Sequence, residues 1–326
     1  MIRIEVLSPG LQTSVQAGPR TGLRHLGVGS GGALDRFSWR VGNALLGNGE
    51  NAACLEFTLR GPGLRFPDGA WIALTGADVD AFADGVPVPG WRAVALPAGS
   101  TLTLDACRRG ARGMLAVAGG LEVPTVLGSA STDLRAGFGG LDGRVLRTGD
   151  TLRARGPAPA VRTLSADPGW IDPRPDLDLD PDRPARIRLL PGPDALATPT
   201  PWRRSFRVAA TSNRQGLRLE GSHLEVRDAG ERLSSPVIEG SVQLPPDGQP
   251  IVLLADAQTI GGYPCIGHVV RADLPRLAQL RPGERLQFET IDAPGAQALA
   301  CDQRQRLARI SLAIEQARRL AGRPGP

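Results

Sequence analysis

The sequence predicts a mainly β fold, made of two related β-domains followed by a helix. Glycine and proline are frequent, with 42 and 29 residues in a chain of 326, and they separate short apolar runs as turns separate strands. A buried strand pattern that leads to Gly-Gly occurs once in each half, at 112–120 and at 251–262. A chain of this length, with 41% hydrophobic and 22% charged residues, can bury two globular cores.

The first half of the chain carries strand patterns and one helix pattern. Residues 2–6 alternate apolar and polar side chains, which is typical of a strand with one buried face. A glycine-rich loop at 27–35 leads into a helix pattern at 36–46, and Asp35 is a suitable N-cap for that helix. An Asp-Gly pair at 84–85 lies between two short apolar runs and predicts a two-residue hairpin.

A stretch rich in proline and aspartate divides the chain. At 155–184 these residues recur without an apolar face, as in an extended linker or a surface loop. The predicted organisation is therefore an N-terminal domain at 1–154, this linker, a C-terminal domain at 185–290, and a helix with a tail at 291–326. The helix is predicted because apolar residues recur within that last segment at near-helical spacing.

All 38 basic side chains are arginine, because the sequence contains no lysine. The missing lysine excludes a P-loop phosphate lysine, a Schiff-base lysine and a biotin-carrying lysine. The formal net charge is +5, but the arginines are spread along the chain and balanced locally by carboxylates. No basic stripe is interleaved with aromatic residues, so we expect no nucleic-acid partner. No apolar run is long enough to span a bilayer, so we expect no membrane partner.

The cysteines and histidines indicate a reducing compartment and no metal site. The four cysteines are far apart without a CxxC pair, and the N-terminal residues lack the apolar core of a signal peptide. A cytoplasmic location with free thiols is the simplest interpretation. The three histidines are scattered, without the close ligand spacing that zinc requires, so no bound metal is predicted.

A polar stretch after an apolar run is the first candidate site. The run at 251–254 leads to Asp256 and Gln258, then to Gly-Gly and to Tyr263, the single tyrosine of the chain. A strand that ends in polar side chains and glycines can present chemistry from a rigid edge. The alternative is a tight hairpin in which Asp256 and Gln258 only hydrogen-bond the turn.

Two other stretches are candidate sites with equally simple alternatives. The sequence SNRQG at 212–216 is either a solvated turn capped by Asn213 or a carboxylate-binding site at Arg214. The glycine-rich loop at 27–35 can hold an anion on backbone N–H groups before the helix, although such loops are frequent without a ligand. The residue patterns alone leave these alternatives open.

Several motifs in a fixed order together resemble one protein family. The motifs are GALDR at 32–36, LAVAGG at 115–120, RAGFGG at 135–140, SNR at 212–214, PPDGQP at 245–250, and DAQT with GGYP at 256–264. Through these motifs the sequence resembles one family, which comprises biotin-dependent carboxyltransferases, allophanate hydrolase subunit 2 and the C subunit of 5-oxoprolinase. The similarity extends over nearly the whole chain up to about residue 288, and the C-terminal helix is its least diagnostic part.

This resemblance implies a fold of two cyclophilin-like β-barrel domains in a cytoplasmic bacterial protein. It implies one subunit of an ATP-dependent 5-oxoprolinase, which opens 5-oxo-L-proline to L-glutamate and is completed by two partners, the B and A subunits. Because the chain lacks lysine and a P-loop, we expect it to be inactive alone, with ATP used by the complex. No covalently bound cofactor is expected.

The resemblance leaves two other functions open. One is a carboxyltransferase or allophanate hydrolase subunit that acts on a urea-derived substrate, with biotin presented by a partner chain. The other is a regulatory binding protein that antagonises a kinase inhibitor. A neighbouring gene for a biotin carboxylase would favour the first of these, whereas a neighbouring gene for the 5-oxoprolinase A subunit would favour the 5-oxoprolinase.

The family resemblance and the chemistry of 5-oxoproline suggest roles for individual residues. For catalysis, Asp256 or Asp35 is a candidate base if burial raises its pKa, and Tyr263 is a candidate donor to a developing oxyanion. For substrate binding, the candidates are side chains that can pair with a carboxylate, an acyl-phosphate or an amide. They are Arg214 and Arg135 for the anionic group, and Asn213 and Gln258 for the amide.

Overall fold

The computed structural model describes residues 1–167, 169–173, 177, 180, 182–197, 204–228 and 233–320. In these residues two β-rich units pack against each other, and a long helix follows the second unit. The strands of the first unit end by residue 166, and those of the second begin at residue 185.

The first unit is a branched ten-stranded sheet with one α-helix packed on it, within the described ranges. A 3-10 turn at Arg24–Leu26 precedes this helix, α1 (Arg36–Leu46). The strands in chain order are β1 (Ile2–Ser8), β2 (Thr13–Gln16), β3 (Cys54–Thr58), β4 (Gly63–Phe66), β5 (Ala70–Ala83), β6 (Val86–Pro87), β7 (Ala93–Leu96), β8 (Ser100–Val117), β9 (Thr151–Ala154) and β10 (Ser165–Ala166).

The longest strand, β8, organises this first sheet. It pairs along its length with β5, while its first part also pairs with β4 and its last part with β3. The strand order is β10-β7-β5-β8-β4-β1-β9, with β2 paired to β3 outside this path. The branch at β3 places the buried side chain of Glu56 where the second unit can reach it.

The second unit is a closed barrel with the order β11-β18-β15-β16-β13-β12-β19, and parallel pairing of β11 with β19 completes it. Strands β14 and β17 form a separate two-stranded sheet. The bounds are β11 (Ala185–Pro191), β12 (Ser205–Val208), β13 (Gly216–Glu220), β14 (Ser235–Pro236), β15 (Ser241–Gln243), β16 (Ile251–Leu253), β17 (Ile260–Gly261), β18 (Cys265–Val269) and β19 (Arg285–Thr290).

Helices complete the second half of the chain and confirm part of the prediction. A 3-10 turn at Arg271–Asp273 leads into α2 (Leu274–Ala278), and the chain continues after the barrel into α3 (Ala293–Leu320). The predicted mainly β fold with a C-terminal helix is therefore confirmed. The closed barrel lies in the second unit, whereas the sheet of the first unit branches around β8.

The predicted linker contributes to the first unit where it is described. Strand β10 pairs with β7, and Leu177 is fully buried in the first hydrophobic core. Other residues of the 155–184 stretch lie outside the described ranges. The predicted division into domains therefore stays a prediction.

Two local sequence patterns fold as predicted. Asp35 caps α1 by accepting a hydrogen bond from the backbone N–H of Ser38 at 2.9 Å, and the helix ends at Gly47 in the left-handed conformation. The Asp-Gly pair at 84–85 has φ values of 49° and 82° between the paired strands β5 and β6. Positive φ at both central residues is the signature of a type I′ hairpin.

Each unit has its own hydrophobic core. One side chain of the first unit, that of Leu34, packs in the core of the second unit. Leu34 precedes Asp35, the N-cap of α1 in the first unit. Helix α3 folds back onto α1, and its Ile314 is buried in the first core. Among the helices of the described ranges, none combines the length and the hydropathy needed to cross a membrane.

Candidate functional site at the seam between the units

The two units meet along a polar contact that we call the seam. It is formed by residues 29–36 of the first unit and residues 254–258 of the second, with β3 beneath them. The backbone N–H of Gly31 donates to the carbonyl oxygen of Ala255 at 3.0 Å, so the glycine-rich loop lies directly against the end of β16. Gly31 and Gly32 have φ values of 57° and 95°, which side-chain-bearing residues rarely adopt.

A buried ion cluster of Glu56, Arg214 and Asp256 lies at the centre of the seam. Arg214 binds Asp256 through two hydrogen bonds, from Nε to Oδ2 at 2.8 Å and from Nη2 to Oδ1 at 3.0 Å. Its Nη1 donates to Oε1 of Glu56, and its Nη2 also donates to the carbonyl oxygen of Gly32 at 2.7 Å. Arg214 thus joins three chain segments from the two units.

Every charge of the ion cluster has a partner and is shielded from water. The side chains of Arg214 and Glu56 are 4% and 2% exposed, and that of Asp256 is 3% exposed. The second carboxylate oxygen of Glu56 accepts from the N–H of Leu34 at 2.8 Å. Burial alone lowers the pKa of Arg214, but the carboxylates of Asp256 and Glu56 outweigh this effect and raise it. This geometry favours a structural role for Arg214 over direct substrate contact.

Asp35 belongs to a second buried polar group that also joins the units. Its Oδ2 accepts from Oγ of Ser38 at 2.5 Å and from Nε2 of Gln279 at 2.6 Å. Oε1 of Gln279, from the second unit, accepts from the N–H groups of Ala111 and Arg112, both at 3.1 Å. Burial raises the pKa of Asp35 to about 6, although the hydrogen bonds lower it. Its complete burial favours a structural role over that of a base.

Two arginines of the first unit hold the rim of the seam. Nη2 of Arg36 forms an ion pair with Glu239 at 2.6 Å, and burial raises the pKa of Glu239 although Arg36 opposes this shift. Arg24 donates to the carbonyl oxygen of Val237, and its Nη1 donates to Oγ of Ser30 at 3.2 Å. Both contacts fix the segment between β14 and β15 against the loop that precedes α1.

Gln258 and Tyr263 lie at the exposed end of the seam. Nε2 of Gln258 donates to Oε1 of Gln243 at 3.4 Å, and Nε2 of Gln243 donates to the carbonyl oxygen of Tyr263 at 3.4 Å. Gln258 is half-buried, and Tyr263 is 49% exposed. Within the described ranges, Oε1 of Gln258 and the hydroxyl of Tyr263 have no hydrogen-bond partner. These two residues therefore retain polar atoms that a ligand can reach.

Two other predicted substrate-binding residues are exposed. Asn213 caps the turn that carries Arg214, because its Oδ1 accepts from the N–H groups of Gln215 at 2.8 Å and Gly216 at 3.4 Å. Asn213 therefore caps the turn, as the simpler of the two interpretations of this sequence states. Arg135 is exposed, and its backbone N–H group donates to the turn that contains it. The substrate-binding roles of both residues stay predictions.

The sequence did not predict four buried polar residues of this region, which are Glu56, Gln279, Arg20 and Asp133. The available signal for Glu56 was a carboxylate inside the otherwise apolar strand pattern CLEFT. Gln279 and Arg20 gave no local signal, because their contacts are distant in sequence, whereas Asp133 holds a local turn. Arg20, for example, donates to a residue 111 positions away.

A cysteine and histidine pair lies in the second barrel, apart from the ion cluster. Sγ of Cys265 is 3.6 Å from Nε2 of His268, and Oγ of Ser241 is 3.2 Å from Nδ1 of the same ring. Burial raises the pKa of Cys265 and lowers that of His268, so both groups are held neutral. In the part of the chain that the structure describes, no three His, Cys, Asp or Glu side chains are grouped as metal ligands would be.

Known protein sequences place this chain among carboxyltransferase domains. A family model described as carboxyltransferase domain, subdomain A and B, matches residues 26–290. The chain is 41% identical over 297 residues to the 5-oxoprolinase C subunit of Escherichia coli K12, an alignment that covers 87% of this chain and 90% of that protein. It is 38% identical over 301 residues to the 5-oxoprolinase C subunit of Haemophilus influenzae, covering 91% of this chain and 94% of that protein.

A solved structure shows the same fold within a larger enzyme. The crystal structure of Kluyveromyces lactis urea carboxylase superposes with a TM-score of 0.87 and 27% identity over 94% of this chain. This chain spans only 29% of the urea carboxylase chain, so the similarity concerns one part of that enzyme. The family resemblance drawn from the motifs is confirmed.

Arg214→Ala should be strongly destabilising, because it leaves two buried carboxylates without their cation. Removing one partner of a buried ion pair costs about 3–5 kcal/mol. The triple variant should cost less than the single change, because no uncompensated charge remains. Its substitutions are Arg214→Met, Glu56→Gln and Asp256→Asn. Urea unfolding measures both free energies. A loss below about 1 kcal/mol for Arg214→Ala would show that the cluster does not hold the seam.

The raised pKa of Asp35 should make stability fall as the pH rises through the mildly acidic range. The folded state keeps the proton of Asp35 up to about pH 6, whereas the unfolded chain loses it near pH 3.8. This stabilisation is therefore complete below about pH 3.8 and is lost once the pH rises above about 6. It amounts to roughly 3 kcal/mol.

Urea unfolding of the wild type and Asp35→Asn at about pH 4 and about pH 7 measures this effect. We expect the wild type to lose stability relative to Asp35→Asn as the pH increases. The exposed Asp142→Asn is the matched control and should follow the wild type at both pH values. An unchanged difference between wild type and Asp35→Asn would refute the raised pKa.

Proposed function

Because the chain belongs to the carboxyltransferase-domain family, we propose that it is one subunit of an ATP-dependent 5-oxoprolinase. Such an enzyme opens 5-oxo-L-proline to L-glutamate. The observation that carries the proposal is 41% identity to a 5-oxoprolinase C subunit over 90% of that protein. The similarity includes both units and therefore the whole seam between them.

The proposal includes partner chains and a division of chemical tasks among them. The relatives are named as subunits, which supports assembly with partner subunits. In this proposal the partners are the B and A subunits of the enzyme, and the complex acts in the cytoplasm. This chain contains no lysine and thus no P-loop phosphate lysine, so in this proposal ATP is used by the assembled complex. Biotin would enter only if a partner chain presented it.

The seam residues with free polar atoms are the proposed contacts to the lactam. Opening the lactam ring places negative charge on its carbonyl oxygen, and the hydroxyl of Tyr263 is a suitable donor to that oxygen. The free Oε1 of Gln258 is a suitable acceptor for the lactam N–H. In this proposal the ion pair of Arg214 and Asp256 acts indirectly, by holding the segment that carries Gln258 and Tyr263.

A carboxyltransferase acting on a urea-derived substrate is the second candidate function. The observation that favours it is the structural match to Kluyveromyces lactis urea carboxylase, with a TM-score of 0.87. In that case a biotin-carrying partner would deliver the carboxyl group, because this chain has no lysine to which biotin could be attached. The two candidate functions require different substrates and different partners, so one assay can separate them.

The direct test is ATP hydrolysis that depends on 5-oxo-L-proline. We expect activity when this chain is mixed with the two partner subunits, and a loss of activity when any one of the three chains is omitted. Urea with a biotin-carrying partner serves as the competing substrate system. An assembled complex that is inactive with 5-oxo-L-proline but active with urea would replace the proposed function by the second candidate.

Tyr263→Phe should lower kcat in the active complex by about tenfold to a thousandfold, because it removes one donor to the developing oxyanion. The KM for 5-oxo-L-proline should change little, since the ring and its packing remain. Trp170→Phe changes another exposed aromatic residue, outside the seam, and is the matched control. A Tyr263→Phe complex with unchanged kcat would remove Tyr263 from the catalytic residues.

A further inference from the structure

A cavity of about 540 Å³ lies between the barrel and helix α3, outside the seam. Its walls come from β11 and β19, from residues 272–276 and from α3. Five of its eleven lining residues are arginine, whereas the whole chain has 38 arginines among 326 residues. Arginine is therefore concentrated in this cavity, which we call the arginine groove. The five are Arg186, Arg188, Arg276, Arg306 and Arg309.

Strand and helix periodicity brings these side chains to one cavity. Arg186 and Arg188 are two positions apart on β11, which places them on the same face of that strand. On α3, Asp302, Arg306 and Arg309 follow one another at spacings of four and three residues, which places them on one face of the helix. The barrel and the helix thus present guanidinium groups to the groove from opposite walls.

Two contacts hold the walls of the arginine groove in place. Arg188 binds the buried Asp273 from Nε to Oδ2 at 3.0 Å and from Nη2 to Oδ1 at 2.5 Å. Nε2 of Gln303 donates to the carbonyl oxygen of Ala272 at 3.1 Å, which joins α3 to the 3-10 turn before α2. The charge of Arg188 is therefore neutralised, and the other four arginines supply the charge of the groove.

Three of these four arginines have no carboxylate partner. Arg186 and Arg309 are exposed, and neither forms an ion pair among the residues that the structure describes. Nη1 of Arg276 donates to the carbonyl oxygen of Arg186 at 3.1 Å, which orients its guanidinium group without neutralising it. Within the described ranges Nη2 of Arg276 makes no hydrogen bond and, unlike its Nε, is not enclosed. All three side chains can therefore reach a ligand.

The arginine groove has an excess of positive charge. Apart from the pair of Arg188 and Asp273, its charged residues are four arginines and the two carboxylates of Glu289 and Asp302, so two positive charges remain. Like charges on facing walls repel one another, and an anion between them relieves this repulsion. A polyphosphate chain carries several charges over a short length, and its oxygens suit the donor fork of a guanidinium group.

We propose that the arginine groove binds a polyphosphate chain, with Arg186 and Arg276 on one wall and Arg309 on the other. The chain belongs either to a nucleoside triphosphate or to free inorganic polyphosphate, which share this chemistry. The inference rests on the proposed function only for the first source, because ATP is the nucleotide that the proposed complex hydrolyses. A chain without lysine would in this way take part in binding phosphate groups.

Isothermal titration of the full chain, without partner subunits and without magnesium, tests the proposal. The ligands are inorganic tripolyphosphate, ATP and orthophosphate. We expect tripolyphosphate and ATP to bind with similar Kd, and orthophosphate to bind at least about tenfold more weakly because it pairs with fewer guanidinium groups. A wild type that does not bind tripolyphosphate would overturn the site.

A matched pair of double variants separates the groove from the general charge of the protein. Arg276→Gln with Arg309→Gln should weaken tripolyphosphate binding at least about tenfold, because two charge-assisted contacts are lost. Arg65→Gln with Arg153→Gln removes the same charge at exposed strand positions of the first unit and should bind as the wild type does. Should the groove variant fail to fold, the exposed Arg309→Gln is compared with Arg65→Gln, and a loss of about threefold or more is expected.

The outcomes also separate the site from the proposed function. Equal binding by both double variants would overturn the site, even in a complex that hydrolyses ATP with 5-oxo-L-proline. Binding that depends on Arg276 and Arg309, in an assembled complex without that hydrolysis, would support the site and refute the function. In an active complex, a KM for ATP that increases in the groove variant assigns the groove to ATP. An unchanged KM, with tripolyphosphate binding lost, assigns it to free polyphosphate.

Discussion

The buried guanidinium of Arg214 is the interaction on which the arrangement of the two units depends. It binds Asp256 of its own unit with two hydrogen bonds, and it reaches Glu56 and the carbonyl oxygen of Gly32 in the other. Because all three charged groups are buried, the loss of Arg214 leaves two carboxylates without their cation in a medium of low polarity. The glycine-rich loop and the end of β16 are therefore held in one relative position, and this position defines the seam.

Two buried arginines of the same region differ in the partners of their guanidinium groups. Arg214 has carboxylate partners on two sides, so it stabilises the seam and has little left to offer a substrate. Arg20 is equally enclosed but contacts only carbonyl groups and an aromatic ring, with one nitrogen free. Gln258 and Tyr263, at the exposed end, also retain free polar atoms.

The sequence predicted the elements that depend on local chemistry and missed those that depend on distant contacts. The mainly β composition, the cap at Asp35 and the Asp-Gly hairpin follow from turn and capping preferences, and the structure contains them. The motif around Arg214 drew attention to the right segment, but its partner Glu56 lies 158 positions away, so the ion cluster could not be derived. Arg20 was missed for the same reason, because its hydrogen-bond partner Ser131 lies 111 positions away.

Hydrogen–deuterium exchange of this chain within its complex, with and without 5-oxo-L-proline, tests most directly whether the seam is the ligand site. A ligand held by Gln258, Tyr263 and the seam loops would reduce local opening of the backbone around them. The expected result is slower exchange at 29–36 and 254–263, with unchanged exchange in α3. Slower exchange confined to other segments, under conditions where binding is saturated, would contradict a site at the seam.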